Sequence, residues 1–194
     1  MPYTCTIKQG NLLDEEDAAF IVNASNTTLT LGSGVSGAFR KKCGMELQQE
    51  MNDKLKSLER KLQKGDVIAT SSAKCSNFKY ALHAAVMDYN TGVNRHNKLP
   101  SLEDIDNILI NMESYLQWYA DNHPKETIRL VLPLMGCGVG GLDKQEVLER
   151  YRNFFQKEVP FDCEVVIYGH NDEDYRLVKK ICAPLLLSQK QHCP

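Results

Sequence analysis

The sequence predicts an α/β fold, with a mixed and mostly parallel sheet between helices on both faces. Three observations carry this. Strand-like runs alternate with helical ones, the order that builds parallel sheets. Two strand candidates, "KYALHAAVM" and "TIRLVLPL", are almost continuously apolar, as strands covered on both faces are. Two glycine-rich stretches, "GSGVSG" at 32–37 and "MGCGVGG" at 135–141, each follow a strand candidate and precede a helix candidate.

Residues 3–9 alternate polar and apolar, the pattern of an edge strand, and this strand is expected to make the sheet mixed. Residues 18–22 form a short buried strand. Residues 36–43 read as a short helix closed by Gly44. From 46 to 62, Leu47, Met51, Leu55, Leu58 and Leu62 recur at helical spacing with charges between them. "KGDVIATSSA" is a turn entering a strand, and "KYALHAAVM" is the buried strand after it. "DYNTGVNRHNKLP" has the Asn, Gly and Pro of a loop. Ser101 is an N-cap, and Asp104 sets a carboxylate in the first turn of a helix with Leu102, Ile105, Leu109, Met112, Leu116 and Tyr119 on one face. "TIRLVLPL" then leads through the second glycine stretch to a helix over 143–155. "CEVVIYG" is the last strand. "NDEDYRLVKKICAPLL" closes the chain as one helix, capped by Asn171 or Asp172. No repeat or linker interrupts this order, so residues 1–194 are expected to form one domain.

Composition narrows the function. With a net charge of −2 and a pI near 6.2, a mainly electrostatic nucleic-acid binder is excluded. Backbone amides can still hold a small anion. The seven cysteines are odd in number and form no C-x-x-C pair. "MPYTCTIKQG" lacks the apolar stretch of a secretory signal. Reduced thiols in a cytoplasmic protein are therefore expected. The longest suspicious apolar run, "ICAPLLLS", is far too short to span a membrane. The histidines and cysteines do not stand at metal-ligand spacing, so no metal or cofactor is expected.

The two glycine stretches carry the chemistry. Bare backbone amides at the start of a helix are a receptor for phosphate, and two such loops from strands far apart in sequence suit a diphosphate. Neither is a P-loop, because no Gly-Lys-Ser/Thr appears. "GSGVSG" matches G-x-G-x-x-G, but the acidic residue about 20 positions on would fall in an amphipathic helix, against a Rossmann site.

Taken in order, "GNLL", "AAFIVNASN", "LGSGVSGAFRKKCG", "LPLMGCGVGGLD" and "VVIYGHNDEDY" resemble the macrodomain family over residues 3–186. The resemblance implies a three-layer α/β/α fold that binds ADP-ribose, free or attached to a protein or nucleic acid, in a monomer away from membranes. It implies contacts at particular positions. Asn11, with Leu12, stands where the family has the residue that meets the adenine amino group. Asn26 falls on the distal ribose, and Asn23 supports the loop from within. Gly32, Ser33, Gly34, Val35, Ser36 and Gly37 form one phosphate loop. Gly136, Cys137, Gly138, Val139 and Gly140 form the other, with both valines as apolar covers. Tyr168 and Asn171 flank the adenine.

The resemblance leaves catalysis open between an ADP-ribosyl hydrolase and an inactive reader, with O-acetyl-ADP-ribose deacetylase and ADP-ribose-1″-phosphate phosphatase as further alternatives. MacroD-type hydrolases carry an aspartate where this chain has Ser36, and a serine hydroxyl cannot replace a carboxylate base. The second loop resembles that of terminal ADP-ribose glycohydrolases, but the loop aspartate is replaced by Gly140, and "YALHAAVMDY" supplies no lysine. Asp143 reads as a helix cap. Asn26, Ser36 and Asp88 remain the catalytic candidates, and an aspartate at position 36 is expected to raise turnover. His83 reads as a buried core histidine, and the run Asp14-Glu15-Glu16-Asp17 as a solvated face.

Overall fold

The computed structural model describes residues 1–187, so Cys193 and His192 lie outside the described residues. A six-stranded sheet runs in the order β1-β6-β5-β2-β4-β3, made of β1 (Thr4–Gln9), β2 (Ala18–Asn26), β3 (Val67–Ser71), β4 (Phe78–Met87), β5 (Ile128–Leu132) and β6 (Cys163–Gly169). Every neighbouring pair is parallel except β3 with β4. The sheet is mixed, as expected, but the antiparallel strand is β3. The N-terminal strand is an edge strand parallel to β6. The reason is connection length: only the short segment 72–77 joins β3 to β4, which suits an antiparallel return.

The helices are α1 (Gly34–Cys43), α2 (Met45–Ser57), α3 (Arg95–Lys98), α4 (Leu102–Asn122), α5 (Lys144–Phe155), α6 (Asp172–Ile181) and α7 (Ala183–Leu187). Alternation along β2 divides the core in two. Phe20 and Val22 face α4 and α5 with Ile105, Leu109, Leu116 and Val147. Ile21 faces α1 and α2 with Phe39, Leu47 and Met51. Ser101 caps α4 in a reciprocal box with Asp104, as its sequence signature requires.

Four boundaries differ from expectation. β2 continues past residue 22 to Asn26, because Asn23 and Ser25 stay in register with His83 and Ala85 of β4. α2 stops at Ser57, since Arg60 pairs with Asp66 at 2.7 Å and the Gln63 amide donates to the same carboxylate, folding the following residues into a turn. Leu62 still reaches the core. Within the expected loop, Asn94 caps the single turn α3. The closing helix is interrupted at Cys182 between α6 and α7.

One thiol expectation is overturned. Cys43, the last residue of α1, and Cys75, ahead of β4, form a disulfide with a Cα–Cα distance of 5.2 Å. Their 32-residue separation hid the pairing in the sequence, which juxtaposes them only once α1 lies over the sheet. Cys137, Cys163 and Cys182 are free thiols.

Candidate functional site

Because β2 and β5 are parallel neighbours, the loops that leave their carboxyl ends emerge side by side. Asn26 organises the first. Its Oδ1 accepts from the Thr28 amide at 3.2 Å, the Thr28 hydroxyl at 2.9 Å and the Thr30 amide at 3.1 Å, while Nδ2 donates to Thr30 O at 2.9 Å. Asn26 is 7% exposed, at the surface end of β2. Beyond it Gly32, Ser33 and Gly34 are exposed. Gly34 has φ 60°, and a side chain there would point into open space. Ser33 is the N-cap of α1 but makes no side-chain cap bond, so the first amides of α1 are left for an outside acceptor. Val35 is half-buried beside them.

Ser36 turns the other way. It is buried, and its hydroxyl donates to Asn23 Oδ1 at 2.9 Å and lies 3.2 Å from Ala24 O. Asn23 Nδ2 then donates to His83 Nδ1 at 3.0 Å, and His83 Nε2 donates to Thr70 Oγ1 at 2.8 Å. Asn23 and His83 are fully buried. Burial pushes the His83 pKa down to about 3, so the ring is neutral. Asn23 thus supports the loop from inside. The chain Ser36–Asn23–His83–Thr70 anchors the loop to three strands' worth of sheet, and Thr70 was invisible to sequence reasoning because its partner is contributed by a different strand.

The second loop is tight at one end and open at the other. Leu142 donates its amide to Gly136 O at 2.9 Å. A Cβ at Gly140 would stand 2.6 Å from Gly136 O and 2.8 Å from Pro100 Cγ, whereas one at Gly138 would meet nothing within 4 Å. A Cβ at Gly37 would likewise stand 3.0 Å from Gly32 O. Val139 is 76% exposed, an apolar side chain with nothing over it. The Cys137 thiol is pushed up to about 12 by burial, with Lys144 pulling against it and Asp143 and Asp174 adding to it. It is not a thiolate nucleophile. Asp143 caps α5 by accepting from the Glu146 amide at 3.0 Å.

At the far end, Asn11 Oδ1 accepts from the Leu13 amide at 3.0 Å and caps a short 3-10 turn that buries Leu12. The Asn11 side chain is exposed. Asn171 caps α6 through the Asp174 amide at 2.8 Å. Tyr168 is buried, and its hydroxyl donates to Glu15 Oε2 at 2.6 Å. This corrects the solvated-face reading at Glu15, while Asp14, Glu16 and Asp17 are exposed as expected. Glu15 is 3% exposed and also accepts from Lys8 at 2.9 Å. Burial raises its pKa, but the Tyr168 and Lys8 hydrogen bonds with the Lys8 and Arg129 charges outweigh this and hold it below the ordinary range.

Asp88 sits next to the Asn26 loop. Its Oδ1 accepts from Thr27 Oγ1 at 2.8 Å and from the Asn90 amide at 3.0 Å, and the Tyr89 amide donates to Thr27 Oγ1 at 2.9 Å. Its Oδ2 has no protein partner among the described residues. Of the three catalytic candidates, then, Asn26 and Asp88 flank the same loop, while Ser36 faces the interior. Among the described residues no group of three His, Cys, Asp or Glu side chains is placed to hold a metal ion.

Known proteins match this arrangement. A family model described as Macro domain matches residues 22–151, and the chain belongs to that family. An uncharacterised protein of Aquifex aeolicus is 26% identical over 163 residues, covering 84% of this chain and 87% of that protein. Among solved structures, an Oceanobacillus iheyensis macrodomain variant determined with ADPR has a TM-score of 0.76 at 21% identity, covering 96% of this chain and 95% of its own. The Trypanosoma brucei macrodomain in complex with ADP-ribose has a TM-score of 0.65 at 18% identity, covering 91% and 68%. The macrodomain of Mycobacterium tuberculosis DarG has a TM-score of 0.67 at 21% identity, covering 87% and 99%. At these identities the likeness establishes the fold. No helix among the described residues is long and apolar enough to cross a membrane.

Proposed function

We propose that the chain binds ADP-ribose, free or attached to a protein or nucleic acid, with the diphosphate between the two glycine loops. The observation that carries this is the pairing of loops at adjacent strand ends: uncapped amides at the start of α1 face the same edge as the open Gly138–Val139 segment. Solved neighbours of this fold were determined with ADP-ribose. In this reading the exposed Asn11 amide and the Tyr168 ring border the adenine, and Asn26 presents its remaining amide hydrogen to the distal ribose. The binding unit spans residues 1–194 as a monomer.

Binding without turnover is the reading the loops favour, because neither glycine loop contains a carboxylate and Ser36 is turned inward. Asp88 supports a second reading, hydrolysis of an ADP-ribosyl bond. Its free Oδ2 lies beside the loop that Asn26 organises, where a carboxylate can orient a water. Calorimetry with ADP-ribose, NAD, ATP and AMP tests the binding reading, which fails if ADP-ribose is not clearly preferred. Turnover on an ADP-ribosylated protein, O-acetyl-ADP-ribose and ADP-ribose-1″-phosphate tests the second. Product release that collapses in Asp88→Asn with binding retained makes the protein a hydrolase. No release from any of the three makes it a reader.

A further inference from the structure

Away from the glycine loops, β3, α2 and α4 enclose a cavity of about 510 Å³ at the β3 edge of the sheet. It opens near the starts of β2 and β4, lined there by Phe20 and Tyr80, and so at the opposite end of those strands from the cleft. We propose that it is a binding site for an arginine side chain of a partner polypeptide.

The walls are aromatic. Tyr80 and Trp118 meet edge to face at 5.7 Å and 81°, and Phe20 lies 5.7 Å from Tyr80. Trp118 is 46% exposed, and none of the lysines that lie over aromatic rings among the described residues lies over it. Two rings at right angles, one of them a partly exposed indole, form the corner of a cation cage. A planar guanidinium suits it better than a compact ammonium, because it stacks and is weakly hydrated.

Charge points the same way. Glu50 lines the cavity, held there by the Ser71 amide at 2.9 Å and by the Ser71 hydroxyl. It forms no ion pair among the described residues. Trp118 stands just before the last turn of α4, a turn with no basic residue. Lys79, which reaches Tyr119 in that turn, is already paired with Glu126 at 2.9 Å. Lys54 also borders the cavity, one turn from Glu50, exposed and without an ion pair among the described residues. Its charge opposes a cation, so it distinguishes a cationic occupant from an anionic one.

Trp118 is the sole tryptophan of the chain, so emission excited selectively at the indole, beyond the tyrosine absorption, reports this cavity alone. Emission is titrated with N-acetyl-arginine amide and with N-acetyl-citrulline amide, which has nearly the same shape without the charge. The arginine compound is expected to give a saturable change and the citrulline compound none over the same range. Glu50→Gln keeps an oxygen for Ser71, and is expected to raise the dissociation constant about ten-fold with melting unchanged, the scale of one lost charge-assisted contact. Lys54→Ala is expected to tighten binding. The proposal is overturned if citrulline binds as well as arginine, if no saturable change occurs, or if Lys54→Ala weakens binding.

Discussion

Ser36 Oγ donates to Asn23 Oδ1 at 2.9 Å, and both acceptors around that hydroxyl, Asn23 Oδ1 and Ala24 O, point at it. The position is therefore built for a donor. The sequence alone suggested that an aspartate here raises turnover. In the structure a carboxylate at 36 would be buried against two acceptors. Ser36→Asp is expected to lose roughly 3–5 kcal/mol, the scale for an unpaired buried charge, and to gain no activity. Ser36→Ala leaves Asn23 Oδ1 without this donor and is expected to lose about 1–3 kcal/mol. Urea unfolding of the two variants checks both. An aspartate variant as stable as the parent would refute the buried geometry.

Gly140 and Gly138 separate packing from ligand contact within one loop. Gly140→Ala puts a methyl group against Gly136 O and Pro100, so it is expected to distort the loop, lower the melting temperature and abolish ADP-ribose binding. Gly138→Glu meets open space and leaves melting unchanged, yet places a negative charge beside the proposed diphosphate. Its ADP-ribose affinity is expected to fall at least 100-fold, roughly 3 kcal/mol. Calorimetry and thermal melting of both variants give the comparison.

His83 makes stability depend on pH. Its folded pKa, about 3, lies below the ordinary histidine value, so the unfolded chain takes up a proton that the folded one refuses. That stability is fully present above about pH 6.5 and is lost at about 1.4 kcal/mol per unit as pH falls toward the folded value. Paired carboxylates such as Glu15 act in a lower part of the same window. Between pH 6 and 4, a His83→Asn variant is therefore expected to show a shallower slope of unfolding free energy, by about 1.4 kcal/mol per unit. Equal slopes in the two proteins would show that His83 is not neutral in the fold.

The Cys43–Cys75 disulfide joins the end of α1 to the turn between β3 and β4. In the chain-entropy account, closing a loop of 32 residues constrains the unfolded chain by roughly 4 kcal/mol. Cys43→Ser, or treatment with a thiol reductant, is expected to lower stability by about 2–4 kcal/mol. Denaturant midpoints with and without reductant measure this, and a midpoint indifferent to reductant would mean the bond adds nothing.

The elements were legible where periodicity and caps agree, as in α4 with its Ser101–Asp104 box and in the apolar run of β4. Legibility failed where distant residues decide. Arg60 and Asp66 end α2 although the leucine spacing continues. The direction of β3 depends on a loop length, and the Cys43–Cys75 pair depends on how α1 lies over the sheet. The site divides in the same way. The glycine loops and the inward role of Asn23 could be read from motif and order. The burial of Glu15 under Tyr168 could not, because four consecutive acids look like surface until Lys8, Arg129 and Tyr168 arrive from three other strands.

Glu50 and Tyr115, which both line the cavity beside β3, do more than shape it. Glu50 occupies the amide of Ser71, and the Tyr115 hydroxyl donates at 2.9 Å to the carbonyl of Val67. Both are backbone groups of β3, the strand that ends the sheet. Side chains thus fill hydrogen-bonding places that a foreign strand would need in order to add itself there. The same residues that shape a pocket for a side chain guard the open flank of the sheet against fibrous self-association.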